Sequence, residues 1–140
     1  MGTFSVGVGV RKPWGSGQAW TPVKCLVDTG AGFCQFPATL LANLGITPER
    51  EVPVVLADGR PSTQPADWLE IQYGDRTAYT LVLFASTNEL TLLGAHALQG
   101  LGLVVDAPRK VLEPGRSLSR SRLVRRPDEQ ASTRARRKTA

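Results

Sequence analysis

The chain has 140 residues, of which 41% are hydrophobic and 21% charged, with 14 glycines and 10 prolines. That size fits one globular domain rich in turns and excludes a second full one. The formal net charge is +5, but residues 113–140 hold 9 of the 17 Lys and Arg and 3 of the 12 Asp and Glu, which leaves −1 for everything before them. Basicity therefore belongs to the tail and not to the domain.

No apolar run approaches the roughly 18 residues that span a bilayer, and the start shows no charged, apolar and cleavage-site succession, so a soluble, cytoplasmic protein without membrane partners is expected. Met1-Gly2 is followed by Val6 where a myristoylation signal wants Ser or Thr. Cys25 and Cys34 are the only cysteines. One falls in an expected strand and no secretory signal precedes them; free thiols are favoured, and a disulfide stays open.

Phe4, Val6, Val8 and Val10 alternate with Thr3, Ser5, Gly7 and Gly9, a period of two that predicts a strand with one buried face. Arg11 to Gln18 reads as a loop, and Ala19 to Val27 as the return strand, with Pro22 marking an edge or a bulge. Asp28 stands where that apolar strand opens into a tight turn. Gly32 to Phe36 should run extended. Pro37 then suits the start of a short helix, Leu40, Leu41 and Leu44 give it an apolar face, and Gly45 ends it.

Val52 to Ala57 predicts the next strand, Asp58-Gly59 is a strong hairpin signal, and Pro61 to Pro65 stiffens the returning arm while limiting its ladder hydrogen bonds. Leu69, Ile71 and Tyr73 alternate with Glu70 and Gln72. Gly74-Asp75 turns the chain, and Thr77 to Phe84 returns as a more continuously apolar strand. Leu90 to Leu93 forms a buried strand, Gly94 lets the backbone pass close to a neighbour, and Ala95 to Leu101 is a short helix ended by Gly102. Leu103 to Val105 leads into the Asp106-Ala107-Pro108 turn, and Val111-Leu112 closes the last strand. The sum is a mostly β fold, closed or sandwich-like, with two short helices. From Gly115 aromatics vanish and Arg and Ser alternate; residues 115–140 read as a basic, disordered tail, either a solvated aid to solubility or an arm for nucleic acid or another anion.

An acidic residue pinned between Val27 and Thr29-Gly30 is an odd place for a surface charge. Two carboxyls sharing one site ionise at different pH, so such a pair runs acid and base chemistry together. In isolation Asp-Thr-Gly also suits an Asx-type turn, in which the carboxylate bonds the Thr29-Gly30 backbone.

Asp28-Thr29-Gly30-Ala31 resembles the Asp-Thr-Gly-Ala signature of the retropepsin-like aspartic proteases, here of the single-domain type found in bacteria and archaea. Leu92-Leu93-Gly94-Ala95-His96-Ala97-Leu98-Gln99-Gly100-Leu101-Gly102-Leu103-Val104-Val105-Asp106 resembles that family's second apolar-apolar-Gly element with its helix and following strand. Leu56-Ala57-Asp58-Gly59-Arg60 stands where the family carries its flap. The order and spacing agree over roughly residues 2 to 114, within a domain read as 1–114.

The resemblance implies a retropepsin-like closed barrel or sandwich with a flap hairpin, assembled as a homodimer. The mechanism needs two carboxylates and the chain has one Asp-Thr-Gly; Asp58, Asp67 and Asp106 lie in unsuitable contexts. The second Asp28 must come from a second chain. The implied catalytic residues are Asp28, Thr29 and Gly30, with Thr29 bonding across the interface. Ala31, Gly32, Gln35 and the flap tip Ala57, Asp58, Gly59 and Arg60 would bind an extended peptide. Gly32 departs from the family's usual Asp or Ser, Gln35 puts an amide where an apolar wall is expected, and the flap is poor in glycine. Arg109 to Leu112 either take the role of the strands that sew the viral dimer or form an outer hairpin.

No cofactor or metal is expected. His96 is the single histidine, without a partner at metal-ligand or nucleophile spacing, and reads as a helix-surface or packing residue. Cys34 reads as a small apolar wall, and Trp14, Trp20 and Trp68 as packing residues without a stacking series. Two functions stay in view: an aspartic endopeptidase, and a non-catalytic peptide-binding or scaffold module of the same fold whose tail recruits a partner.

Overall fold

The computed structural model describes residues 3–14 and 17–115; the expectations for Met1-Gly2, for Gly15 in the first loop and for the tail from 116 onward lie outside them. The described chain is mostly strand with two short helices. In order it forms β1 (Ser5–Arg11), β2 (Thr21–Val27), β3 (Cys34–Pro37), α1 (Ala38–Asn43), β4 (Arg50–Val55), β5 (Pro61–Tyr73), β6 (Arg76–Ala85), β7 (Leu92–Leu93), α2 (Ala95–Leu101), β8 (Leu103–Asp106) and β9 (Val111–Pro114).

Seven strands pair in the order β1-β2-β7-β3-β6-β5-β4, and β1 also pairs with β5 through Gly9↔Gln72, Val10↔Ile71 and Arg11↔Glu70. The ladder thus returns on itself, with β4 outside the ring. The alternating apolar residues of β1 face inward as the period of two requires, Val8 and Val10 being buried. They meet Val27, Phe36, Leu41, Leu69, Ile71, Val82 and Leu93 in one core. Pro22 sits opposite Gly9, in the part of β2 that has no second neighbour among the described residues, since β7 pairs only with Leu26 and Val27. An edge is where a residue without an N–H is tolerated.

The structure extends or shortens several expected strands. β4 runs over 50–55, starting and ending two residues earlier than expected. Pro61 to Pro65 do not form a separate arm but the first part of one long β5, paired with β4 from Val55↔Pro61 to Arg50↔Ala66 and handed on to β6 at Ala66↔Leu83. β2 begins at Thr21 rather than Ala19, and the strand expected over Leu90 to Leu93 is reduced to Leu92–Leu93. β9 runs on to Pro114 and, among the described residues, pairs only with β8, in a separate two-stranded sheet.

Glu70, in an alternating polar position, is buried rather than solvated. Arg11 Nε and Nη2 donate to its two carboxylate oxygens at 3.0 and 3.3 Å, and the same guanidinium lies 3.9 Å from the centre of the Trp20 ring. A buried carboxylate needs such a partner. The tryptophans also do more than fill space: Trp14 stacks on Tyr79 with centroids 5.6 Å apart and meets Trp68 edge-on at 6.2 Å.

Packing around Gly94 sets the geometry of the β2–β3 connection. A Cβ built there would lie 2.5 Å from the Phe33 carbonyl oxygen and 2.9 Å from that of Ala31. Only glycine lets the two backbones approach so closely. Replacing Gly94 with Ala is expected to destabilise the fold by about 3 kcal/mol through this overlap; chemical denaturation measures it, and an unchanged midpoint would contradict the packing described.

Both thiols are free and buried. Burial, and secondarily the neighbouring Cys34, pushes Cys25 up to about 12, and burial pushes Cys34 up to about 11 against a lowering hydrogen bond from the Gly94 backbone. A raised thiol value favours the protonated folded form. Its contribution to stability is full below the ordinary value of 9.0 and is lost as pH climbs toward 11–12. The folded protein should resist thiol reagents at pH 8 and react fully in urea, and its urea midpoint should fall above pH 9; rapid labelling of the native state would contradict this.

Candidate active site

β2 delivers Asp28 to the surface of the core as a half-buried residue. Its N–H donates to the Leu93 carbonyl at 3.0 Å, continuing the parallel β2–β7 ladder by one step. The Asp28 carbonyl accepts from Ala31 N–H at 3.1 Å, and Oδ1 accepts from Gly30 N–H at 3.0 Å. The Asx turn is therefore present, but it occupies only one carboxylate oxygen; among the described residues Oδ2 has no hydrogen-bond partner. One oxygen orients the group and the other is left open.

The connection after Asp28 is tied to the start of α2. Ala95 N–H donates to the Ala31 carbonyl at 2.8 Å and His96 N–H to the Gly32 carbonyl at 3.0 Å. These bonds fix Ala31 and Gly32 beside Asp28 and satisfy two donors of the helix's first turn, which has no side-chain cap. α2 ends where the sequence placed its stop, at Gly102 with φ 72°.

His96, expected as a helix-surface or packing residue, is exposed on α2 and packs there. Its ring meets Phe33 edge-on at 5.2 Å, and its Cε1 lies 3.7 Å from where a Gly32 side chain would begin. Phe33 in turn packs on a second apolar cluster, Val52, Ala66 and Leu83 with Val54 and Leu81. This cluster lies on the face of the β5–β6 ladder opposite Leu69 and Ile71. Nothing in the sequence marks Phe33 for this place, because a single phenylalanine in an extended stretch carries no periodic signal.

Asp28, Thr29 and Gly30 line a cavity of about 360 Å³ with Thr3, Phe4, Val27, Val105 and Ala107. Beside it, Thr29, Val105 and Ala107 also border a mostly apolar hollow of about 420 Å³ completed by Ala95, Leu98, Gln99, Leu103 and Val104. Val105 and Ala107 were not among the expected site residues; their place beside Asp28 follows from the β8 turn folding back, which no local pattern encodes.

Gln35 is half-buried on β3, and its Nε2 donates to the Leu90 carbonyl at 3.0 Å. The amide fastens the 86–91 connection to the strand. The tip residues Ala57, Asp58, Gly59 and Arg60 are exposed and do not line the Asp28 cavity. They close the β4–β5 hairpin through Leu56 N–H to the Arg60 carbonyl at 2.8 Å and Gly59 N–H to the Leu56 carbonyl at 2.8 Å. Gly59 takes φ 88°, the left-handed residue of a three-residue hairpin loop. Asp58 accepts from the Arg60 N–H at 3.0 Å and from its Nε at 2.7 Å, and these bonds hold its carboxyl below the usual range. A turn poor in glycine is thus stiffened by its own side chains.

A family model described as gag-polyprotein putative aspartyl protease matches residues 19–100. A search of curated proteins found no match. Among solved structures, the chain is similar to the simian foamy virus (mac) protease, with 18% identity and a TM-score of 0.49, over 69% of this chain and 92% of that one. It is also similar to a retropepsin-like aspartic protease from Rickettsia conorii, with 18% identity and a TM-score of 0.49, over 75% and 77% of the two chains. The family match spans the Asp28 loop, the hairpin over 50–66 and most of α2, and by it the chain belongs to the retropepsin-like family of gag-polyprotein aspartyl proteases.

Proposed function

We propose that this chain is an aspartic endopeptidase that works as a homodimer, with one Asp28 from each subunit in a shared site. The observation that carries the reading is the oriented but half-satisfied carboxylate: Oδ1 is held by Gly30 N–H and Oδ2 has no hydrogen-bond partner among the described residues. A single carboxylate cannot act as acid and base in one step. Two of them, a hydrogen bond apart, would share a proton.

In that dimer a water lies between the two Asp28 groups. The ionised carboxylate takes a proton from the water, whose oxygen adds to the scissile carbonyl carbon, while the protonated carboxyl donates to the carbonyl oxygen. The dyad then protonates the amide nitrogen as the C–N bond breaks, and no covalent enzyme intermediate forms. Thr29, exposed at the rim, would bond its counterpart across the interface. Gly30 and Gly32 would offer backbone to an extended peptide and the β4–β5 hairpin would close over it.

Two features support self-association on this side of the molecule. Among the described residues β8 is paired on one edge only, with β9, and Val104 on it is 44% exposed. An unpaired strand edge beside the incomplete site suits isologous pairing with a second copy. In this reading β9 forms the outer arm of the hairpin and β8 the seam.

A diverse peptide pool, incubated between mildly acidic and neutral pH and read by mass spectrometry, tests the proposal. Wild type should generate cleavage products, and Asp28→Asn should reduce their rate by roughly 10²–10⁴-fold while its mass in solution remains that of a dimer. Products of equal yield from both proteins would place the chemistry elsewhere. A dimer that binds peptides and cuts none would leave a peptide-docking module.

A further inference from the structure

We infer that the substrate groove continues past the second apolar cluster onto an exposed aromatic platform, Trp14, Trp68 and Tyr79, which takes an aromatic or proline residue in the flank of the peptide. The inference rests on the protease reading above and names a part of its substrate. Side chains alternate across β5 and β6, so the cross-strand pairs Ala66↔Leu83, Trp68↔Leu81 and Glu70↔Tyr79 share one face. Phe33 of the Asp28 loop packs into the first part of that face, and Leu81 belongs to the same cluster. Trp14 covers the far part, stacked on Tyr79 and edge-on to Trp68. An apolar strip therefore leads from the catalytic loop to an outer surface.

The far end is open: Trp14 is 62% and Tyr79 49% exposed. Adjacent aromatic rings left to solvent make an apolar patch of the kind that marks interaction sites. Trp14 also holds φ 62°, a conformation that costs a residue with a Cβ about 1–2 kcal/mol, yet its ring is laid flat on Tyr79. Two acidic groups near the platform are already matched. Glu70 is bound by Arg11 through both oxygens, and Asp67 accepts from Glu49 N–H and Trp68 N–H and pairs with Arg50. The strip thus offers apolar, planar faces to a peptide side chain. From Ala66 to Glu70 is four steps of β5, about 13 Å, so the recognised residue would lie roughly four positions outward from the one that fills the second cluster.

The test uses the full chain with peptides recovered from the cleavage pool, prepared at about twelve residues and trimmed to about six around the cut. Trp14→Ala and Tyr79→Ala should each raise KM for the long peptide by roughly tenfold with kcat unchanged and leave the short peptide unaffected, whereas Tyr79→Phe, which keeps the ring, should behave as wild type. Equal losses on long and short peptides, or none on either, would overturn the inference while leaving the protease standing. Binding of a labelled pool of about twelve residues, with Phe or Pro fixed at each flank position, is measured in parallel on Asp28→Asn. Flank-dependent binding lost in the Tyr79→Ala background supports the strip even if no peptide is cut. Displacement of that pool by a peptide of residues 116–140, or a shift in dimer mass on changing Tyr79, would assign the platform to the chain's own tail or to a second copy, and would overturn it.

Discussion

The close approach of Gly94 to the Phe33 and Ala31 carbonyls is the contact on which the site depends. It brings the end of β7 under the loop that follows β2, and the first N–H groups of α2 then reach Ala31 and Gly32. Asp28 is thereby fixed from three directions: by Leu93 through its own N–H, by Gly30 through its carboxylate, and by the helix through the residues after it. The backbone hydrogen bonds hold the loop without drawing on the second carboxylate oxygen. Preorganisation of this kind costs little when the chemistry begins, because nothing has to move to orient the group.

In the proposed dimer, the same construction would leave each subunit with half a site. Each bond that fixes the loop comes from the chain's own core, whereas the open oxygen, Thr29, Val105 and Ala107 border cavities at the surface. A carboxylate with its orientation determined internally and its reactive side turned outward is suited to meet a copy of itself. Two-fold symmetry then requires no second motif in the sequence.

The parts that were legible in the sequence are those governed by short-range rules. The alternation in β1, the helix over 95–101 with Gly102 at its end, the Asp58-Gly59 turn and the close approach at Gly94 all follow from backbone sterics and side-chain period. What escaped depends on partners distant along the chain. Glu70 looks solvated in an alternating strand, and only its meeting with Arg11, 59 residues earlier, makes burial tolerable. Trp14 reads as a loop residue until β5 and β6 bring Trp68 and Tyr79 beneath it. The bond from the Gln35 amide to the Leu90 carbonyl, 55 residues later, has no local signal either. The continuous β5 was obscured by Pro61 and Pro65, which suggest interruption locally but are accommodated where β4 is the only neighbour.

The central claim is that two chains share one catalytic pair, and subunit mixing tests it most directly. Wild type and Asp28→Asn are combined at constant total concentration, allowed to exchange, and assayed on a cleaved peptide. If the site is composite, activity follows the square of the wild-type fraction, falling to about a quarter when half the subunits are replaced. Activity proportional to the wild-type fraction, about a half at that point, would mean that each chain carries a complete site of its own.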